Sequence, residues 1–308
     1  MSAFVRRQFP DIAPAAWEHP ADAAALRALR AVPGFDRVVA LTMGRLNERA
    51  VGRRLIDGSE PATAARHPRL ADLWAQVVLT LDAPDPVPLR VKKMGGINAL
   101  TAGVDQPLIV VSAEAVGLLE DDQLRVILAH ELAHILSGHV LYKMMLGVLL
   151  QAGWLSLALP TSLPVVAGVA LAMLEWDRKS ELSADRASAL ALGGSAPVAA
   201  TLRRAGDERG ILWGKAQQLP EEWREVGGRV ALGAERVLSR HPPVGDRITA
   251  LEAWVGSAEW ESLQRGDYPR RGDQPRPGTW DALRDTADGL KTGLQEALGP
   301  LAARLKRP

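Results

Sequence analysis

The chain has 308 residues, 47% apolar and 24% charged, which is the composition of a globular protein able to bury a large core. Its 37 basic and 36 acidic residues nearly cancel, so no long-range field draws it to nucleic acid, and no nucleic-acid partner is expected. It contains no cysteine, which excludes thiol catalysis, thiolate metal ligands and disulfides.

The opening stretch, MSAFVRRQFPDIAPAAWEHP, lacks the apolar core of a secretory signal, so a cytoplasmic location is expected. ADAAALRALRAV at 21–32 has helical spacing and stops at Pro33-Gly34. FDRVVALTMGRLNERAVGRRL at 35–55 is a second helix candidate. HPRLADLWAQVVLTLD at 67–82 is a third, ended by the proline cluster APDPVP. That cluster is read as a boundary, with a helical N-terminal region over 1–83. The texture then changes. VPLRVKK at 87–93, INALT at 97–101 and PLIVVS at 107–112 are short and β-like, with glycines between them, and predict a small antiparallel sheet.

Ser112 can cap a short helix, and the acids of EDDQ at 120–123 suit the start of a second one. From Met144 to Leu174 no residue carries a formal charge, and Pro160 and Pro164 interrupt the run. EWDRKSELSADRASALAL at 175–192 is amphipathic. HPPVGDRITALEAWV follows at 241–255. YPRRGDQPRPG at 268–278 reads as a flexible linker, and the chain closes on an amphipathic helix. The middle domain is placed at 84–258, and the linker and last helix at 259–308.

Three of the six histidines, His130, His134 and His139, fall in LAHELAHILSGH. His130-Glu131-x-x-His134 is the HExxH pattern. Four residues advance a helix by about 400°, so the two imidazoles stand about 40° apart, one turn above the other. Both can reach one metal ion, while Glu131 projects beside them. That is the layout of a zinc hydrolase, with Glu131 as the base that accepts the proton of the attacking water. The alternative is a chance match on a buried helix. Burying two unpaired histidines and a glutamate would be costly, and a metal relieves that cost. His139 lies about 180° from His130 and cannot join the same ion unless the helix breaks at Gly138, so a structural role is expected for it.

A catalytic zinc takes three protein ligands. Without cysteine, the third must be His, Glu or Asp. Glu181 is the best candidate by position, with Asp185 one turn on as the acceptor for a ligand histidine's second nitrogen. Glu175 and Asp177 compete with Glu181 on spacing alone. His241 and Arg247 in HPPVGDR could support an oxyanion, although the same residues could simply start a surface helix.

Taken together, these blocks resemble the M48 family of zinc metallopeptidases. INALTAG and PLIVVS are similar to the family's edge-strand segment, with Asn98-Ala99 at its usual Asn-Ala. DDQLRVILAHELAHILSGH is similar to its zinc helix, including a further histidine at His139. ELSADRAS matches its ExxxD helix, and HPPVGDRI its late His-Pro…Arg block. The matched region spans about residues 85–255. Ala133 stands where glycine is common, and neither the first 80 residues nor the tail beyond 260 matches a family motif.

The resemblance implies an α+β, predominantly helical, gluzincin-like zinc endopeptidase carrying one Zn²⁺ per chain. It implies metal ligands His130, His134 and Glu181, with Asp185 behind them. Glu131, His241 and Arg247 are its implied catalytic residues, and peptides or unfolded proteins its substrates. It further implies that substrate adds as a strand along the sheet edge at Asn98 to Ala102, which makes Asn98 and Ala99 substrate-binding residues.

In membrane-embedded relatives two membrane helices follow the zinc helix. Here the uncharged run is too short for two crossings, which need about 40 apolar residues. The reading is an apolar helical hairpin over 140–176, packed on the N-terminal helices, with contact to a membrane surface as the alternative. Two rival functions remain: a latent or non-catalytic zinc-stabilised binding module, and a membrane-surface scaffold. The oligomeric state is left open.

Overall fold

The computed structural model describes residues 7–273, apart from 33, 36, 37, 40–51, 54, 105, 157–162 and 208–240. Most of the expected helix at 35–55, residues 274–278 of the expected linker and the whole closing helix lie outside the described residues.

Helix α1 (Pro20–Arg30) starts with a proline in its first turn, and the His19 ring accepts a hydrogen bond from the Ala21 amide at 3.0 Å. Asp22 lies in its first turn and Arg27 and Arg30 in its last, as the helix dipole favours. A short strand, β1 (Ser59–Pro61), precedes α2 (Pro68–Thr80), which buries Leu70, Leu73 and Val77 on one face.

The three expected strands form as β2 (Leu89–Lys92), β3 (Ala99–Ala102) and β4 (Leu108–Ser112). The sheet order is β1-β2-β4-β3, and the sheet is mixed rather than antiparallel. β2 runs parallel to β4, while β1–β2 and β3–β4 are antiparallel. The reason lies in the link between β2 and β3. It carries Gly95 and Gly96 at positive φ and passes the end of β4, so β2 and β3 do not pair and β3 becomes an edge. Gly103 closes the β3–β4 turn at φ +88, where an added Cβ would lie 2.3 Å from the Gln106 carbonyl oxygen.

The described elements after β4 are helices: α3 (Ala113–Leu118), α4 (Asp121–Leu136), α5 (His139–Ser156), α6 (Leu163–Leu192), α7 (Ser195–Asp207), α8 (Val244–Val255) and α9 (Ala258–Arg265). The molecule is therefore α+β and mostly helical, with a small sheet. Ser112 caps α3 through the Ala115 amide at 3.0 Å. Glu120, Asp121 and Asp122 open α4, where the Gln123 side chain accepts from the Glu120 amide at 3.1 Å.

Helix α4 is the centre of the fold. Every residue from Val126 to His134 is buried, because α6, α2, α7 and β3 surround it. Its closest partner is α6, which starts well before the stretch expected from sequence. Ala184, Ala187 and Ser188 are fully buried there, and their small size lets the backbones approach. The Ser188 hydroxyl reaches the Val126 carbonyl at 3.2 Å.

Two apolar cores result. One joins the sheet, α2, α4 and the later helices. The other gathers Leu141, Tyr142 and Met145 of α5 with Met173, Leu174 and Trp176 of α6, Leu29 of α1, and Phe35. Met145, Leu146, Leu149, Val169, Met173 and Leu174 of the uncharged run thus pack against protein. Among the described residues no helix is long and apolar enough to cross a membrane. Pro160, expected at a hairpin tip, lies outside the described residues.

Tyr268–Asp273, the start of the expected linker, is tied to the N-terminal segment. The Ala13 amide donates to Pro269 at 2.9 Å and the Arg271 amide to Asp11 at 2.8 Å. The Arg271 guanidinium also bonds the Asp82 carbonyl at 2.6 Å and pairs with the Asp82 and Asp11 carboxylates. Burial alone would raise the Asp82 pKa, but the Asp11 amide and Arg271 outweigh it and lower it. Its stabilising effect is therefore full above the ordinary carboxylate range and fades as pH falls through the depressed value. Arg271→Ala should cost about 1–2 kcal/mol at neutral pH, read as a lower melting temperature, and the difference from the parent should shrink in acid.

Candidate metal centre

The HExxH helix and α6 cross where His130, His134 and Glu181 face one another. All three side chains are almost fully buried. His130 Nε2 lies 3.2 Å from His134 Nε2. Glu181 sets Oε2 3.3 Å from the His130 nitrogen and Oε1 3.3 Å from the His134 nitrogen. Ligands at 2.0–2.1 Å from a tetrahedral ion stand about 3.3 Å apart. The donor set, two imidazoles and a carboxylate with no thiolate, suits Zn²⁺. Among the described residues this is the group able to hold a metal ion. Of the three acids that competed on spacing, Glu175 pairs with Arg178 and Lys179, Asp177 bonds Lys143, and Glu181 meets the imidazoles.

The far side of each group is held as well. His130 Nδ1 lies 3.3 Å from Asp185, which fixes the ring and leaves Nε2 toward the centre. Arg247 grips Asp185 with two bonds, Nε at 2.7 Å and a terminal nitrogen at 2.6 Å. His134 Nδ1 meets His139 Nδ1 at 3.0 Å, because the chain turns at Gly138 with φ +69 and returns as α5. His139 is not among the three converging residues, but it touches one of them. Lys143 bonds Glu181 at 2.8 Å and Asp177 at 2.7 Å, and His241 Nδ1 sits 3.0 Å from Glu181.

The electrostatics follow from burial. It would raise the Glu181 pKa, but Lys143, His241 and His130 hold it well below the ordinary value. Burial and the Lys143 charge hold the His134 pKa well below its ordinary value, which favours the neutral form that can bind a metal. Burial opposes charge on His130 too, yet Glu181 and Asp185 outweigh it and raise its pKa. Lys143 meets Asp177 and Glu181, and Arg247 meets Asp185 and Glu181, so each buried carboxylate has a cationic partner on its outer side.

Glu131 is buried beside the group, and the Thr101 hydroxyl donates to its carboxylate at 2.6 Å. Burial pushes its pKa up, against the pull of His130 and Thr101. Asn98 and Ala99 stand at the head of β3. There Ser112 pairs with the Asn98 backbone at 2.8 and 2.9 Å, and Ala99 is buried opposite Val111. The residue of that strand that reaches the helix carboxylate is Thr101.

Sequence reasoning did not single out Thr101, Asp22 or Lys143 for the site. Lys143 had a signal, as the last charge before a long uncharged run. Thr101 and Asp22 had none, since each is one polar residue in an ordinary strand or helix start.

Two imidazoles and a carboxylate converging on one point, with a second carboxylate alongside, can bind a metal ion and move a proton next to it. This is the arrangement of a metal-dependent hydrolase. The comparisons make the class specific. The profile of peptidase family M48 matches residues 64–255, well over half of the chain. The plastoglobule-localized metallopeptidase 48, chloroplastic, of Arabidopsis thaliana is 25% identical over 278 residues, covering 83% of this chain and 76% of that protein. Protease HtpX of Xanthomonas euvesicatoria pv. vesicatoria is 26% identical over 282 residues, covering 78% of this chain and 90% of the relative. Protease HtpX of Xanthomonas campestris pv. campestris is likewise 26% identical over 282 residues. No solved structure matches the chain. The chain belongs to peptidase family M48. It is a metallopeptidase whose substrates are proteins or peptides.

Arg247 is 1% exposed, and removing it would leave Asp185 buried without its main counter-charge. Arg247→Ala should lower stability by about 3–5 kcal/mol in a urea titration. Arg247→Lys should recover only part, since a lysine cannot reproduce the two-point grip.

Proposed function

We propose that the chain is a zinc endopeptidase in which His130, His134 and Glu181 hold a single Zn²⁺ and Glu131 is the general base and then acid. The observation that carries the reading is the convergence of two buried imidazole nitrogens 3.2 Å apart on a buried carboxylate whose two oxygens each lie 3.3 Å from one of them, with Glu131 alongside. Bound there, zinc supplies Lewis-acid polarisation of the scissile carbonyl and acidifies water.

The chain's own residues do the rest. Glu131 accepts the proton of the attacking water and hands it to the departing amine. Its raised pKa moves it toward the working pH, where proton transfer is efficient in both directions. Thr101 orients the carboxylate. Asp185 holds His130, and Arg247 acts mainly by holding Asp185. His241, half-buried on Glu181, stands where it can stabilise negative charge developing on the carbonyl oxygen, and Arg247 adds to the positive field there.

A gluzincin-like layout supports a substrate route. Substrate adds as a strand along β3, with Asn98 and Ala99 lining its start, so that main-chain pairing binds it with little sequence preference. On this reading residues 84–258 carry the peptidase motifs, while 1–83 supply β1 to the sheet, α2 to the first core and α1 to the wall of the metal centre. Residues 140–176 form an apolar hairpin, and the portion outside the second core is the surface that would meet a membrane.

Zinc-loaded protein should cleave a mixture of unfolded peptides, scored by mass spectrometry. Glu131→Gln should lose about 10²–10⁴-fold in kcat while still holding zinc. Zinc-loaded parent that cleaves nothing, or a Glu131→Gln variant as active as the parent, would overturn the mechanism. Thr101→Val should lower kcat by about 10- to 100-fold, the worth of a hydrogen bond to a charged group, with zinc content unchanged.

A further inference from the structure

We propose that Asp22, on the N-terminal helix and outside the stretch that matches the family, positions the ligand His134 through His139. The inference rests on the metal-centre reading above and extends it to a part of the chain that carries none of the family's motifs.

A neutral imidazole has one N–H and one lone pair, and the partner of one nitrogen decides the role of the other. Asp22 lies 3.1 Å from His139 Nε2, and an ionised carboxylate only accepts, so the His139 proton is on Nε2. His139 Nδ1 is then a lone pair. It faces His134 Nδ1 at 3.0 Å, so that nitrogen must donate. The His134 lone pair is thereby left on Nε2, the atom that meets His130 and Glu181. Reversing His139 would place two N–H groups face to face, or would put the His134 proton on the atom that must bind the ion.

The relay is built, not incidental. Asp22 is 1% exposed and His139 5%. The Ser183 hydroxyl donates to Asp22 at 2.6 Å from α6, two residues beyond Glu181, and itself accepts from the His19 amide at 2.9 Å. The Trp176 ring packs edge-on against His139, centroids 5.6 Å apart, and fixes the plane of its ring. The two ligand histidines are therefore set in parallel ways. His130 has a carboxylate directly, Asp185 from α6. His134 has one at a remove, Asp22 from α1. Asp22 is a positioning residue. It never touches the metal or the substrate.

The test uses the full chain and zinc alone. Zn²⁺ affinity is measured by chelator competition for the parent, Asp22→Asn and Leu29→Ala. The last removes another buried side chain of α1 without touching the relay. Asp22→Asn should weaken zinc binding by about 10- to 100-fold, the range seen when a group behind a ligand is lost. Leu29→Ala should destabilise the fold and leave zinc affinity unchanged. Equal affinity in Asp22→Asn and parent would overturn the relay while leaving the metal centre standing. A parent that binds no zinc would sink the metal centre itself, and an equal loss in Leu29→Ala would mean that α1 docking matters rather than Asp22.

Long-range proton–nitrogen NMR of the zinc-loaded parent tests the same point without any variant. His139 should carry its proton on Nε2 and His134 on Nδ1. A proton on His139 Nδ1 would overturn the proposal whatever the variants do.

Discussion

Two imidazoles and several carboxylates are packed into the buried space between α4 and α6. Isolated, each would resist burial strongly. Together they are tolerable because every one meets an opposite charge or a hydrogen-bond partner. Glu181 has Lys143, His241, His130 and His134, and Asp185 has Arg247 and His130. The rest of the structure arranges for these partners to arrive from different parts of the chain.

Several local features are explained by that requirement. The small residues of α6 bring it close enough to α4 for a carboxylate on one helix to reach imidazoles on the other. Gly138 permits the left-handed turn that sends α5 back, placing His139 on His134 and Lys143 on Glu181. The edge position of β3 lets Thr101 meet Glu131. The N-terminal segment fills the remaining side. Trp17 bonds Ser137 at 3.0 Å, and α1 inserts Asp22 beneath the histidines.

The family match covers 64–255, and the N-terminal helix lies before it. In this protein that helix belongs to the wall of the metal centre and to the second apolar core. A region without recognisable motifs can thus be part of a site, because support behind a ligand needs one carboxylate in the right place rather than a pattern. The C-terminal clasp on residues 10–13 and 82 holds this same N-terminal segment in register with the sheet domain.

The amino-acid sequence alone determined what local spacing can encode. The HExxH pair, the acids at the start of α4, the Ser112 cap, the three main strands and the amphipathic stretch bearing Glu181 all follow from residues a few positions apart, where helix and strand periodicity dictate which side chains share a face. Long-range contacts decided the rest. Glu181 rather than Glu175 or Asp177 meets the imidazoles because of where α6 crosses α4. β2 and β4 run parallel because the intervening link passes a strand instead of closing a hairpin. Arg247 turns inward to Asp185, and Asp22, 112 residues before His134, stands two hydrogen bonds away from it. No period in the sequence carries such pairings, since they depend on which buried charge needs a partner once the helices have packed.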